Sequence, residues 1–290
     1  MNAPASSPRQ RFADEIRRSE ADLDLARAAL LVAQEEYPQL PVEIYLGRLD
    51  QLAEDVRGRL GDETAPLVVL QELVDTLFRR HGFKGNRDAY YDPRNSFLND
   101  VLDRRTGIPL TLGMVVLEVG WRLALPLEGV SFPHHFLLRF RGEGMDFLLD
   151  PFADGELRFQ DQAQQLLDRV YGGMVRMQPG FLRTATRREM LVRLLTNLKG
   201  VYINARDEAR ALGVVERILL LRPDAAPERR TMGLLLARLG RFAEARAELG
   251  AYLEASPQAQ DASRVRALLD RLERGSGELD PEDTDTELET

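Results

Sequence analysis

The sequence predicts an α+β fold, mostly helical with a small antiparallel sheet, followed by an all-helical repeat region. Three observations predict it. Apolar residues keep helical spacing through roughly the first hundred positions. The period changes to two after Pro126. From about Arg187 helical spacing returns, now with an internal repeat of 34 residues. At 290 residues and 44% hydrophobic composition, the chain can bury a sizeable core in one or two domains.

The elements follow in order. Leu23, Ala26, Leu30 and Ala33 form one apolar stripe that ends at Tyr37-Pro38. A second helix opens at Pro41, where a first-turn proline is tolerated, and runs through Ile44, Leu49, Leu52 and Val56 to Leu60. A third extends from about Pro66 through Val69, Leu73 and Leu77 to His81-Gly82. Residues 82–94 are rich in Gly, Asn, Asp and Tyr and read as a loop. Asn95-Ser96 is expected to cap a short helix through Arg105, with Gly107 as its stop signal. Pro109 and Thr111 open the next helix, which reaches about Leu123. Strands are then expected at Leu127–Ser131, His135–Phe140, Asp146–Asp150 and Glu156–Phe159.

In the last third, Leu221-Arg222-Pro223-Asp224 recurs as Ala255-Ser256-Pro257-Gln258, and Ala209, Ala211, Ile218 and Leu219 match Ala243, Ala245, Tyr252 and Leu253. A 34-residue unit with small residues early in its second helix and a closing proline resembles the tetratricopeptide repeat. Two repeats are expected, Met190–Asp224 and Ala225–Gln258, with Ala259–Arg274 as a terminal helix. The predicted organisation is a disordered segment 1–10, a core domain 11–185, repeat helices 186–274 and a disordered acidic tail 275–290.

The net charge of −8 is local to that tail, which holds seven acids and no Lys or Arg; without it the body carries −1. So small a charge argues against nucleic acid or an anionic membrane as partner. Met1 to Gln10 lacks the apolar run of a signal peptide. The longest apolar stretch, Leu110 to Leu127, is broken by Glu118 and Arg122, so no membrane span is expected. Zero cysteines excludes disulfides and thiolate metal sites, and a cytoplasmic location is expected. Neither a metal nor a cofactor is expected: there are three histidines, and Gly142-x-Gly144 reads as a hairpin loop rather than a phosphate cradle.

The candidate chemistry lies in the predicted sheet. If Phe140 faces Met145 across the loop Arg141–Gly144, His135 faces Asp150, and opposed side chains of such a pair stand roughly 4.5–5.5 Å apart at Cβ. A carboxylate there can orient an imidazole, which is two thirds of a nucleophile, base and orienter triad. His134, alternating along the strand, is expected on the opposite face. At the helix start before these strands, the one side chain of a reactive class is Thr111. Its hydroxyl reads first as a helix-start hydrogen bond, and otherwise as a weak nucleophile needing a firmly placed base.

Three motifs now carry a resemblance: Asn95 to Leu112 with Thr106-Gly107-Ile108-Pro109-Leu110-Thr111, then Phe132-Pro133-His134-His135-Phe136-Leu137-Leu138-Arg139, then Asp150-Pro151-Phe152-Ala153-Asp154-Gly155. In this order, ahead of the helical repeats, they resemble the SirB-type transglutaminase-like family. The resemblance implies a transglutaminase/papain-like core, with His135 and Asp150 at the positions of the catalytic histidine and aspartate. It places the thiol position at or next to Thr111, where this chain has no cysteine. His134 stands where the family usually has a small residue. The expected function is a non-catalytic adaptor or regulatory protein, binding a protein or peptide partner through a degenerate cleft and the repeats. The alternative is an amide hydrolase or acyltransferase using Thr111, His135 and Asp150.

Overall fold

The computed structural model describes residues 6–142, 144–159 and 162–274. The acidic segment 275–290 and residues 1–5, both expected to be disordered, lie outside the described residues. Contacts divide the chain into two compact units, 1–194 and 195–290, and each is described by itself. The division falls inside α8 (Arg187–Asn204), past the boundary expected at residue 185.

The first unit opens with α1 (Pro8–Ile16), so the segment expected to lack structure already holds a helix start, capped where Gln10 N donates to the Ser7 hydroxyl at 3.1 Å. Then come α2 (Leu25–Glu36), α3 (Val42–Leu60) and α4 (Pro66–Val74), which continues as a π-helical turn over Asp75–Arg80. Next follow α5 (Leu98–Arg104) and α6 (Pro109–Arg122). Helix α6 is buried from Pro109 to Gly120, apolar almost all round, between α2, α3 and α4 and the sheet. Its one buried acid, Glu118, accepts from Ala26 N at 3.1 Å and from Arg122 Nη1 at 2.6 Å. Burial pushes that carboxyl above the usual range in spite of Arg122.

A short parallel pair, β1 (Lys84–Gly85) and β2 (Thr106–Gly107), lies where the sequence reads as loop and helix stop. The main sheet is antiparallel with order β6-β5-β4-β3-β7, formed by β3 (Leu127–Val130), β4 (Leu137–Gly142), β5 (Met145–Asp150), β6 (Glu156–Arg158) and β7 (Thr184–Ala185). Helix α7 (Ala163–Tyr171), in a segment for which no element is expected above, covers the sheet by packing Ala163, Leu166 and Leu167 on Val130, Phe132, Leu137 and Leu148.

Three local expectations are corrected. In the hairpin Gly142 pairs with Met145, Phe140 with Phe147 and Leu138 with Leu149, two residues away from the expected register. Gly144 takes φ +76°, which lets a tighter turn close the strands than the four-residue loop assumed. Asn95 and Ser96 do not cap α5; Phe97 stands at its N-cap without a side-chain bond. Asn95 instead sits in a 3-10 turn, Pro93–Asn95. The end of α5 is turned by Arg105 at φ 54°, not by Gly107.

The second unit contains α9 (Glu208–Leu221), α10 (Ala226–Arg238), α11 (Phe242–Ala255) and α12 (Ala262–Glu273). Ala211 and Ala245, one repeat apart, are both fully buried, and Ile218 and Tyr252 at the next matched position are buried too. Pro223 and Pro257 each stand two residues beyond a helix end, where a missing N–H costs nothing. Among the described residues no helix is long and apolar enough to cross a membrane.

Candidate functional site

His135 belongs to a turn ahead of β4, not to the strand itself. Phe132 N bonds Val130 O at 2.9 Å and His135 N bonds Phe132 O at 3.1 Å, closing the turn, while His134 takes φ 51°. The turn separates the two histidines. His134 meets the Tyr171 ring edge-on at 5.4 Å, and His135 reaches Asp150, Nε2 to Oδ1, at 2.8 Å.

Asp150 ends β5 and caps the 3-10 turn Pro151–Ala153, where its Oδ1 also accepts from Phe152 N at 3.0 Å and Ala153 N at 3.2 Å. Burial opposes ionisation of this carboxyl. The His135 bond and charge, the Phe152 amide and the nearby Arg158 outweigh it and hold the group below the usual aspartate range. An ionised Asp150 accepts only, so Nε2 carries the proton and Nδ1 is the ring's remaining site. No partner occupies Nδ1 among the described residues. The side chain of His135 is 18% exposed.

Thr111 lies in the first turn of α6 with 0% exposure. Its hydroxyl donates to Asn95 O at 2.6 Å and accepts from Ile108 N at 3.2 Å. The Asn95 side chain in turn donates to Ala89 O at 2.7 Å and Tyr90 O at 3.1 Å, and accepts from Asn86 Nδ2 at 2.9 Å. Thr111 therefore holds the loop that carries Arg87, Tyr90 and Tyr91, and its hydroxyl makes no bond to His135.

That loop supplies groups which sequence reasoning missed. Phe152 meets the His135 ring edge-on at 6.3 Å and Tyr90 at 6.0 Å, and Tyr90 meets Tyr91 at 5.4 Å. Arg87 covers the Phe152 ring at 5.0 Å and donates to its carbonyl at 3.1 Å. From α8, Arg193 Nη1 donates to Ser131 Oγ at 3.1 Å and Phe132 O at 3.2 Å, behind the turn that presents His135. The result is an aromatic strip beside an imidazole, flanked by two guanidinium groups. The Tyr90-Tyr91 pair and the lone Arg87 are visible in the sequence, but nothing local ties them to His135.

A groove of ≈ 1020 Å³ lies elsewhere on this unit, between α4 with its π-helical turn and residues 153–157, and His135 does not line it. Among the described residues no group of three or more His, Cys, Asp and Glu is placed to hold a metal ion.

Comparison with known proteins agrees with the fold. Residues 43–196 match the transglutaminase-like superfamily, and residues 198–270 match the tetratricopeptide repeat. The chain is similar to a UPF0162 protein of Xylella fastidiosa, 36% identical over 250 residues, covering 85% of this chain and 89% of the relative. A UPF0162 protein of Pseudomonas aeruginosa is 34% identical over 84% of each chain. Protein SirB1 of Salmonella typhimurium is 28% identical over 88% of this chain and 97% of its own. No solved structure matches. The chain belongs to the transglutaminase-like superfamily, within the group of UPF0162 and SirB-type proteins that carry tetratricopeptide repeats.

Proposed function

We propose that this member of the transglutaminase-like superfamily is a non-catalytic adaptor or regulatory protein. In this reading it binds a protein segment at the His135–Asp150 site and a protein partner through its repeats. Tetratricopeptide arrays commonly serve protein interaction, since stacked helix pairs offer an extended surface. A cytoplasmic setting is part of the same proposal, and a composition free of cysteine is compatible with it.

The observation that carries the reading is the state of Thr111. Acyl transfer needs a nucleophile within about 2.6–3.2 Å of its base, or one water away. The Thr111 hydroxyl is fully buried and committed to Asn95 O and Ile108 N. The imidazole and carboxylate remain paired, with Nδ1 of His135 left to meet a ligand.

The test offers the full-length protein glutamine-containing peptide amides and a primary amine acceptor, and follows ammonia release. No turnover above background is expected from the wild type or from His135→Ala. Turnover by the wild type that disappears in His135→Ala would overturn the adaptor reading.

A further inference from the structure

Arg193 is one of the half-buried guanidinium groups of the first unit that no carboxylate among the described residues neutralises, and it is the one beside the turn that carries His135. Arg122 is paired with Glu118 and Asp50, Arg139 with Asp146, and Arg158 with Glu156. Arg193 meets no carboxylate among the described residues. Its acceptors are the uncharged Ser131 Oγ and Phe132 O, both taken by Nη1, and its Cζ lies 5.9 Å from the Phe136 ring. Among the described residues, the ionisable group that influences it is Tyr90. Burial works against its charge, as expected for a cation held without a counter-ion.

A guanidinium offers five N–H donors in a flat fork that matches a carboxylate edge to edge. With Nη1 tied to the turn, the edge formed by Nε and Nη2 is the one left for a ligand. Ser131 and Phe132, which fix Nη1, start the same turn that presents His135. Tyr90, which Arg193 influences electrostatically, belongs to the aromatic strip that continues through Phe152 to the imidazole. Arg87, over Phe152, also lacks a carboxylate partner among the described residues. Arg193 and Arg87 are therefore both without countercharge, and a negative group in the ligand would supply it.

We propose that Arg193 receives a carboxylate of the bound segment, so that the His135 site selects acidic peptides. The inference rests on the binding role proposed above and names the chemistry of what is bound. The carboxylate comes either from a Glu or Asp side chain or from a peptide C-terminus, and the bond to Arg193 has the same form in both.

Calorimetric titration of the full-length protein at low salt separates the cases with three tetrapeptides. The first is acetyl-Ala-Phe-Glu-Ala-amide, the second its Gln counterpart, and the third the Gln peptide with a free C-terminal carboxylate. One of the carboxylate peptides is expected to bind the wild type at least about tenfold tighter than the amidated Gln peptide, as a charge-assisted bond allows. That preference should vanish in Arg193→Gln and survive in part in Arg193→Lys, with folding of both variants checked by thermal melting. The wild-type comparison alone already decides whether charge matters, whatever the variants do. Equal binding of all three peptides overturns the inference and leaves the binding role standing. A preference that persists in folded Arg193→Gln overturns the assignment to Arg193. Binding of none of the peptides overturns both.

Discussion

His135 meets Asp150 across 2.8 Å, although the two residues are not opposed in the strand ladder. The register sets Leu138 against Leu149, so a strand-borne His135 would lie beyond Asp150 on the hairpin. The contact is made instead by the turn through Phe132 to His135, which swings the ring back over the end of β5. Asp150 also holds the amides of Phe152 and Ala153, so one carboxylate fixes both the imidazole and the first ring of the aromatic strip. This makes Asp150 the hinge of the site in a structural sense.

Asp150→Asn keeps the shape and part of the cap but removes the charge that the imidazole N–H meets. It is expected to lower unfolding free energy at neutral pH by about 1–2 kcal/mol, and Asp150→Ala by more because the cap of Pro151–Ala153 is lost as well. Urea unfolding measures both. An Asp150→Asn protein as stable as the wild type would mean that the pair contributes nothing.

The same group makes a signed pH prediction. Its carboxyl is held below the usual range in the folded state, so the unfolded chain takes up the proton more readily. Its contribution is therefore present above the ordinary aspartate value, about 3.9, and is lost as pH falls through the lower folded value. The stability gap between wild type and Asp150→Asn should be retained at about pH 5.5 and shrink as pH is taken from about 4 towards 2. A gap equally wide at the acid end would contradict the assignment.

How much of this was legible before the structure differs by element. The helices from Leu25 to Arg122 and the repeat helices announce themselves, because each buries a stripe whose period is written in the residues. The hairpin partners were legible, but their register was not: Gly144 at φ +76° tightens the turn, and loop length cannot be read from apolar runs alone. The slip is by two residues, which preserves the face of every side chain, so the pairing of His135 with Asp150 was anticipated for a partly mistaken reason. Helix α7 keeps Ala163, Leu166, Leu167 and Tyr171 at helical spacing, but at nine residues, straight after a stretch read as strand, it was passed over. Arg193 was invisible as a site residue. It is one of 39 basic residues, and only the fold brings it to Ser131.

Thr111 separates two explanations of the same hydroxyl. Thr111→Val keeps the volume and leaves Asn95 O and Ile108 N without their partner, a loss of about 1–3 kcal/mol. Thr111→Ser keeps both bonds and loses one buried methyl, about 1 kcal/mol. Thr111→Cys is expected to gain no amide-transfer activity, because the side chain points at Asn95 O from a fully buried position. Chemical denaturation together with the ammonia-release assay checks all three variants, and a stable, fully folded Thr111→Val would refute the structural role.

Ala124 follows α6 at φ 58°, a left-handed conformation that costs a side-chain-bearing residue about 1 kcal/mol or more. It is exposed, and its N–H still bonds Trp121 O at 3.0 Å, a bond that glycine retains. Ala124→Gly is therefore expected to stabilise the first unit by about 0.5–1 kcal/mol, after allowing for the freer unfolded chain. A melting temperature that drops would show that the methyl group makes contacts which outweigh the strain.

In the second unit the sign of a glycine substitution turns on what its new methyl would meet. Gly233 lies on α10, and a Cβ there would stand 2.6 Å from Leu249 Cγ on α11 and 3.3 Å from Ala245 O. Alanine in mid-helix is favoured over glycine by about 1 kcal/mol, which argues for a gain. Against it, the atom in the way is a branch carbon of a fully buried leucine, not the free end of a flexible chain, and overpacking costs about 1–3 kcal/mol. The overlap should win, so Gly233→Ala is expected to destabilise the repeat region by about 1–2 kcal/mol. Gly250→Ala on α11 is the control, since nothing lies within 4 Å of its added methyl and propensity acts alone. That variant should gain up to about 1 kcal/mol. Thermal unfolding of the two variants side by side gives the answer: opposite shifts support the close approach of α10 and α11 at Gly233, and shifts of the same sign contradict it.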